Sequence, residues 1–195
     1  MRAAVTGLAA FVAVSLGALL LGTDGVDTTM RLALLDAATP DVLSVMRAVN
    51  VLGNWRFLLP ATVLLLVVCD RARRTWWVWL ALMIAAPVAE GLLKPAIGRA
   101  RPESVSYGFP SGHATAAAAY FGAVLALAGD LRPRWRHLVR AGAVALIVLV
   151  GIARVMLRAH WPSDVLGGIA LGLALAAAAA ALATHVGGSR RRAGG

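Results

Sequence analysis

The stretch that decides the fold runs from residue 110 to residue 129 and reads PSGHATAAAAYFGAVLALAG. After His113 it contains no charged residue, and a helix rising 1.5 Å per residue over 112–129 approaches the thickness of the bilayer hydrocarbon core, about 30 Å. Its opening, Pro110-Ser111-Gly112, is typical of a helix start. The stretch therefore predicts a membrane-crossing helix whose first turn carries groups capable of chemistry.

Apolar stretches of similar length occur on both sides of this segment. The chain is 60% hydrophobic and only 14% charged, whereas soluble domains carry about a quarter charged residues. Six stretches are candidate membrane spans: 3–22, 55–69, 76–93, 112–129, 137–157 and 164–185. The second is short, although Val51 and Leu52 could extend it. With no internal repeat or linker, residues 1–195 are interpreted as a single domain, an all-α polytopic membrane protein with a six-helix bundle.

The segments before the second span need separate interpretations. A basic residue followed by an apolar stretch also begins a secretory signal, but no A-x-A-like cleavage site precedes Asp24, so the first span is interpreted as a retained anchor. Residues 28–50 are too polar to cross. Apolar residues nevertheless recur there at helical spacing behind a helix start signal: Val42, Val45, Met46 and Val49 after Thr39-Pro40-Asp41. This pattern predicts an amphipathic helix on the membrane surface, in the first outer loop.

Arginine is concentrated in alternate loops. The formal net charge of +10 is typical of nucleic-acid binding or of cytoplasmic anchoring beside a membrane, and the apolar stretches favour the second, so no nucleic-acid partner is expected. The basic regions are Arg71, Arg73 and Arg74 in the second loop, Arg132, Arg134, Arg136 and Arg140 around the fourth, and Arg190, Arg191 and Arg192 in the tail. Because such loops stay in the cytoplasm, both termini are predicted there, in a protein of the cell membrane.

Further basic and catalytic residue types gather in the outer loops, where topology alone does not explain them. They form three groups: Lys94 and Arg101 after the third span; Ser111, Gly112 and His113 at the start of the fourth; and Arg154, His160 and Asp164 between the fifth and sixth. Helix direction brings all three groups to one side of the membrane, the outside or periplasm. Fixed cations, a glycine-containing helix start and two histidines predict a site for a tetrahedral dianion.

The residue types indicate how the site would hold phosphate. Arg101 and Arg154 can each bind two phosphate oxygens in a bidentate way, whereas Lys94 offers a compact point charge. Alternatively, Lys94 only snorkels at a helix end. Ser111 and Gly112 would present first-turn amides to the anion, although an ordinary N-cap serine is the alternative.

The two histidines are candidates for two different catalytic roles, nucleophile and general acid. His160 and Asp164 lie four residues apart, so the carboxylate can hold one imidazole nitrogen while the other faces phosphorus, as in an activated nucleophile. His113 is left as the general acid. The scheme needs a neutral His160 and a protonated His113, and an ordinary histidine pKa of about 6.5 allows both.

Other polar residues receive more ordinary interpretations. Glu90 lies four residues before Lys94, and an ion pair between them is favoured over a catalytic role. Arg99 and Arg158 either meet an anionic headgroup or remain solvated or lipid-facing.

A metal site fits poorly, since Asp164 is the only acid in the predicted pocket against three cations, so neither a metal nor another cofactor is predicted.

The three groups together resemble the signature of the phosphatidic acid phosphatase type 2 (PAP2) family, shared with vanadium haloperoxidases: K-x6-R-P at 94–102, P-S-G-H at 110–113 and R-x5-H-x3-D at 154–164. One departure is Ala153, where the family often has serine and one more hydrogen bond to phosphate. The resemblance implies His160 as the nucleophile that forms a phosphohistidine, Asp164 as its partner, His113 as the acid, and turnover without a metal.

The expected function is hydrolysis of a phosphate or pyrophosphate carried by a membrane lipid, such as polyprenyl pyrophosphate, phosphatidic acid or phosphatidylglycerol phosphate. Two alternatives stay open: transfer of the phosphate to another acceptor, and a non-catalytic six-helix lipid transporter or scaffold. Oxidation of the haloperoxidase type is not expected, because those relatives are soluble. The sequence carries no signal for an oligomeric state.

Overall fold

The computed structural model describes residues 2–20, 22 and 25–193, with side chains as far as residue 187. Its elements are α1 (Arg2–Leu20), α2 (Val26–Asp36), α3 (Pro40–Val51), α4 (Trp55–Val68), α5 (Asp70–Arg74), α6 (Trp76–Ile97), β1 (Ala100–Arg101), β2 (Ser104–Tyr107), α7 (Gly112–Leu127), α8 (Pro133–Met156) and α9 (Pro162–Ala193). Leu21, Asp24 and the side chains of Arg190, Arg191 and Arg192, which enter the predictions above, lie outside the described residues.

Five of the described helices are long and apolar enough to cross a membrane, namely α1, α6, α7 with the 3-10 turn that follows it, α8 and α9. A sixth candidate is α3 together with α4, which pass the same criterion as a pair although the chain bends by 52° between them. The 14 residues of α4 are too few to cross about 30 Å unaided. The chain is therefore an all-α, multi-pass membrane protein, and the count of six spans stays a prediction.

The segment that the sequence predicts as the first outer loop contains two helices, where one was predicted. The predicted helix is α3: Thr39 caps it, because its side chain accepts from the Val42 amide at 3.4 Å, and Pro40 occupies its first turn. Its buried Met46 packs against Ala153 and Met156 of α8. The second helix, α2, was not predicted, and the position of α3 at the membrane surface stays a prediction.

Two helix ends differ from the predicted span limits, because a proline starts one helix and a glycine ends the other. α8 begins at Pro133, four residues before the predicted span, because the fixed φ of proline suits the first helical turn. α6 continues to Ile97 and ends at Gly98, whose φ of 69° is the left-handed conformation that closes a helix. This extension keeps Lys94 in the last turn of α6.

The packing of α9 on α7 lies at the centre of the bundle. A Cβ atom at Gly172 would lie 2.4 Å from the Thr115 carbonyl oxygen, and one at Gly168 would lie 2.6 Å from the Ser111 carbonyl oxygen. Only glycine allows the two helix backbones to approach this closely. The two glycines therefore hold the beginnings of α7 and α9 side by side.

A short hairpin connects α6 to α7. Its strands pair antiparallel, with Ala100 opposite Tyr107, and the Gly108 amide then donates to the Arg99 carbonyl oxygen at 2.7 Å. Phe109 follows, fully buried, with its ring centroid 6.0 Å from that of Phe11 in α1. The hairpin was not predicted, since the alternation of polar and apolar residues in Ser104-Val105-Ser106-Tyr107 covers only four residues, the shortest length that indicates a strand.

Candidate active site

The turn between α8 and α9 forms the first part of the site. His160 and Asp164 are 1% and 0% exposed, and Nδ1 of His160 lies 3.3 Å from Oδ2 of Asp164. Because an ionised carboxylate only accepts hydrogen bonds, Nδ1 carries the proton of the neutral ring. The lone pair of a neutral His160 is then on Nε2, on the other side of the ring.

The surroundings of His160 favour this neutral form. Burial lowers the pKa of His160 below the ordinary value of 6.5, the hydrogen bond that its ring donates to Asp164 partly raises it, and the charges of Arg154 and Arg101 lower it further. The net direction is downward, so the ring is neutral at pH 7. A neutral imidazole on which two guanidinium charges act has the properties of a nucleophile toward an anion.

Both carboxylate oxygens of Asp164 have further partners. Oδ2 accepts from the backbone amide of Trp161 at 3.0 Å, and Oδ1 accepts from Nη1 of Arg99 at 2.7 Å. Arg99 is itself buried, and its Nη2 donates to Oδ2 of Asp27 at 2.5 Å. The expectation that Arg99 meets a headgroup, solvent or lipid is therefore wrong, because paired carboxylates hold it in the interior.

The two arginines predicted to bind phosphate are half-buried and approach from different elements. Arg154, in the last turn of α8, donates from Nη1 to Oδ1 of Asn50 at 2.7 Å. Arg101, in β1, donates from Nε to the Tyr107 carbonyl oxygen at 3.2 Å. Each contact orients one edge of a guanidinium group. The sequence reasoning missed Asn50, which no motif marks.

Lys94 and Glu90 form the ion pair that their spacing on α6 predicts. The carboxylate of Glu90 also lies against the start of α7, since a Cβ atom at Gly112 would be 2.8 Å from Glu90 Oε1. Glu90 thus stands between Lys94 and the first turn of α7. Gly112 was predicted to present its amide to an anion, and in this structure the group closest to the position that its Cβ atom would take is the carboxylate of Glu90.

Ser111 differs from the prediction in one respect. Its backbone amide donates to the Asp164 carbonyl oxygen at 2.9 Å, so this amide is not free to bind an anion. Its hydroxyl Oγ is buried and has no hydrogen-bond partner among the described residues. The hydroxyl, together with the first-turn amides from Gly112 onward, is therefore the group that this helix start offers.

His113 lies where the groups meet. Arg154, His160, Arg101 and Lys94 are all close enough for their charges to act on it. These side chains come from α6, β1, α8 and the turn before α9. They are the second histidine and the three cations that the sequence predicts around one anion, and their binding of a single phosphate stays a prediction.

The departure at position 153 has a structural explanation. Ala153 is fully buried in an apolar cluster with Met46 and Met156, so its methyl group contributes to the contact between α3 and α8. In the part of the chain that the structure describes, the site included, no three His, Cys, Asp or Glu side chains are grouped as metal ligands would be.

A multi-pass helical bundle with a buried histidine–aspartate pair beside three cations defines a membrane protein equipped to handle a phosphate group. Residues 74–186 match the family model of the PAP2 superfamily, and the chain belongs to this superfamily. Phosphatidylglycerophosphatase B of Bacillus subtilis is 34% identical over 147 residues, which cover 70% of this chain and 72% of that protein.

Other relatives match over a shorter length. The lipid A 1-phosphatases of Rhizobium etli and Rhizobium johnstonii are each 42% identical over 97 residues, which cover 42% of this chain. The matched part spans only 38% and 36% of these two proteins.

Two crystal structures share the fold. The transmembrane PAP2 type phosphatidylglycerolphosphate phosphatase of Bacillus subtilis superposes with a TM-score of 0.83 and 28% identity, covering 95% of this chain and 98% of that one. Aquifex aeolicus LpxE gives a TM-score of 0.67 over 80% of this chain and 94% of that one; at 17% identity it supports the fold alone.

Proposed function

We propose that this protein hydrolyses a phosphate monoester or diphosphate of a membrane lipid through a phosphohistidine on His160. The observation that carries the proposal is the buried His160–Asp164 pair, within range of a second histidine and three cations. Membership of the PAP2 superfamily and the printed names of the relatives, a phosphatidylglycerophosphatase and two lipid A 1-phosphatases, support the same reaction class.

In the first step, Nε2 of His160 attacks phosphorus, the bond from phosphorus to the leaving oxygen breaks, and His113 gives that oxygen a proton. A monoester releases the lipid alcohol, and a diphosphate releases the lipid monophosphate. In the second step, water loses a proton to His113 and attacks phosphorus, the phosphorus–nitrogen bond breaks, and inorganic phosphate leaves. Lys94, Arg101 and Arg154 balance the charge on the equatorial oxygens throughout.

The remaining site residues position these groups. Asp164 keeps the proton on Nδ1 of His160 and stabilises the positive charge that develops on the ring. The Ser111 hydroxyl and the amide of Gly112 contribute donors to the phosphate oxygens at the start of α7.

The substrates that fit are lipids whose phosphate lies at headgroup level: phosphatidic acid, phosphatidylglycerol phosphate or a polyprenyl pyrophosphate. We place the active site on the outer or periplasmic face of the cell membrane and both termini in the cytoplasm, following the arginine distribution. Turnover requires no metal in this mechanism, because the fixed cations perform the electrostatic role.

The experiment is release of inorganic phosphate from these three lipids in detergent with a chelator present. Wild type is expected to release phosphate from at least one of them, while His160→Ala loses activity and His113→Ala slows by about a hundredfold or more. Normal activity in both variants would refute the mechanism. Appearance of a phosphorylated added alcohol in place of inorganic phosphate would instead favour lipid-to-acceptor transfer, and no turnover of any lipid would favour the transporter or scaffold.

A further inference from the structure

A buried chain of charges runs from α2 to His160. Asp27 near the start of α2 pairs with Arg99, Arg99 pairs with Asp164, and Asp164 holds the His160 ring. All four side chains are less than one tenth exposed. Only the last two belong to the motifs that the sequence analysis used, and the mechanism above assigns no role to Asp27 or Arg99.

Arg99 contacts Asp164 directly and has its own supports. Its Nη1 donates to Oδ1 of Asp164 at 2.7 Å and to Oγ of Ser163 at 2.5 Å. Its Nη2 donates to Oδ2 of Asp27 at 2.5 Å and to the Gly22 carbonyl oxygen at 3.1 Å. The planar guanidinium therefore bridges the two carboxylates with one nitrogen on each, a geometry that a lysine ammonium cannot reproduce.

Asp27 also accepts hydrogen bonds from the first turn of α9, the helix that carries Asp164. Its Oδ1 accepts from the Ser163 backbone amide at 2.8 Å, and its Oδ2 accepts from the Ser163 hydroxyl at 2.5 Å. Ser163 lies in the first turn of α9, next to Asp164. The carboxylate of α2 thus satisfies an amide at the start of α9 that has no acceptor within the helix, while it holds Arg99 from the other side.

A buried carboxylate needs a charged partner, and that partner determines where its oxygens lie. With Arg99 on Oδ1, the other oxygen of Asp164 is directed to Nδ1 of His160 and to the Trp161 amide. Loss of Arg99 removes the charge that compensates Asp164 and the contact that fixes the rotation of its carboxylate. The His160 ring then loses its orienting partner, although no phosphate-binding cation has changed.

We propose that Arg99, held by Asp27, is a positioning residue that fixes the Asp164 carboxylate and, through it, the attacking nitrogen of His160. This inference rests on the proposed function, because it assigns Arg99 to the step in which His160 attacks phosphorus. Arg99 acts through Asp164, so its loss affects turnover more than anion binding.

The test measures kcat and the inhibition constant of inorganic phosphate for Arg99→Gln, with dioctanoyl phosphatidic acid or dioctanoyl phosphatidylglycerol phosphate, whichever wild type hydrolyses. We expect kcat to fall about 10- to 100-fold, as for losses of residues that support a reacting group. The phosphate inhibition constant should change by less than about threefold, since Lys94, Arg101 and Arg154 remain. Arg99→Lys should recover only part of kcat, because an ammonium cannot bridge both carboxylates.

Three further variants make the test specific. Asp27→Asn should lower kcat in the same direction as Arg99→Gln. Adding Arg99→Gln to Asp164→Asn should cost much less than it does in wild type, because the two residues act as one unit. The matched control is Arg71→Gln, which breaks another Arg–Asp pair, with Asp130 at 3.0 Å, at the opposite end of α7; it should leave kcat unchanged.

An Arg99→Gln variant with wild-type kcat would overturn the inference, and so would equal losses of kcat and phosphate affinity or full additivity with Asp164→Asn. His160→Ala separates the two proposals. If His160→Ala is inactive while Arg99→Gln is normal, only the positioning role fails; if His160→Ala stays active, the proposed function fails first.

Discussion

Arg154 donates a hydrogen bond from Nη1 to Oδ1 of Asn50 at 2.7 Å. The bond joins the last turn of α8 to the last turn of α3, between residues 104 positions apart in the sequence. A helix predicted only as an amphipathic surface element thus supplies a partner to the arginine that we propose binds phosphate. Under this proposal, α3 contributes to the active site through Asn50.

We expect Asn50→Ala to raise KM and to lower kcat/KM by about tenfold, the effect of losing one hydrogen bond to a charged group. The measurement is steady-state phosphate release from the preferred lipid. Asn54→Ala is the matched control: Asn54 caps α4 by accepting from the Arg56 amide, so its loss should cost about 1 kcal/mol of stability without raising KM. An Asn50→Ala variant with wild-type KM would show that Arg154 needs no such partner.

The pH dependence should report on His160. Because His160 must be neutral to attack, kcat/KM falls as pH drops through its pKa, which burial keeps below the ordinary value of 6.5. Asp164 raises that pKa by stabilising the imidazolium. Asp164→Asn should therefore move the acid limb of the pH profile, the fall in kcat/KM at low pH, to lower pH, and it should lower kcat by up to about 10⁴-fold.

The control for this shift is Glu103→Gln. Glu103 is an exposed acid whose partners are Arg31 and Arg158, and its removal should leave the acid limb in place. A limb that moves to higher pH in Asp164→Asn, or does not move, would contradict the assignment of that limb to His160.

Gly112→Ala should impair activity without unfolding the protein. The added Cβ atom would lie 2.8 Å from Glu90 Oε1, and the flexible Glu90 side chain can move away, which disturbs its ion pair with Lys94. We expect kcat/KM to fall about tenfold through misplacement of Lys94 and of the helix start. Gly142→Ala on α8, where no atom lies within 4 Å of the added carbon, should keep full activity; equal activity of both variants would argue against this contact.

Gly172→Ala should destabilise the bundle itself. Its Cβ atom would lie 2.4 Å from the Thr115 carbonyl oxygen and 2.7 Å from Ala118 Cβ, and backbone atoms cannot move aside cheaply. We expect a loss of about 1–3 kcal/mol, measured as a lower thermal unfolding midpoint in detergent. Gly17→Ala on α1, with open space around it, should leave the midpoint unchanged, and a stable Gly172→Ala variant would mean that α7 and α9 can separate without cost.

The sequence predicts the parts of this structure that depend on local pattern. Each predicted span corresponds to a helix because apolar length is a property of a single segment. The closeness of Lys94, His113 and Arg154 follows from helix direction. Lys94 and Arg154 lie where the third and fifth predicted spans end and His113 lies where the fourth begins, so all three residues are on one side of the membrane.

What the sequence did not predict depends on contacts between distant segments. Asp27 and Arg99 are 72 residues apart, and nothing near either residue marks it as buried. The Ser111 amide is occupied by the Asp164 carbonyl oxygen, a contact that arises only when α7 and α9 pack together. Asn50 likewise contacts Arg154 only because α3 packs against α8.

The stereochemical course at phosphorus tests the phosphohistidine most directly. A thiophosphate analogue of the preferred lipid would be made chiral with oxygen isotopes and hydrolysed in isotopically labelled water. Attack by His160 followed by attack by water inverts phosphorus twice, so we expect overall retention of configuration. Overall inversion would mean that water attacks the lipid phosphate in one step, without a phosphohistidine.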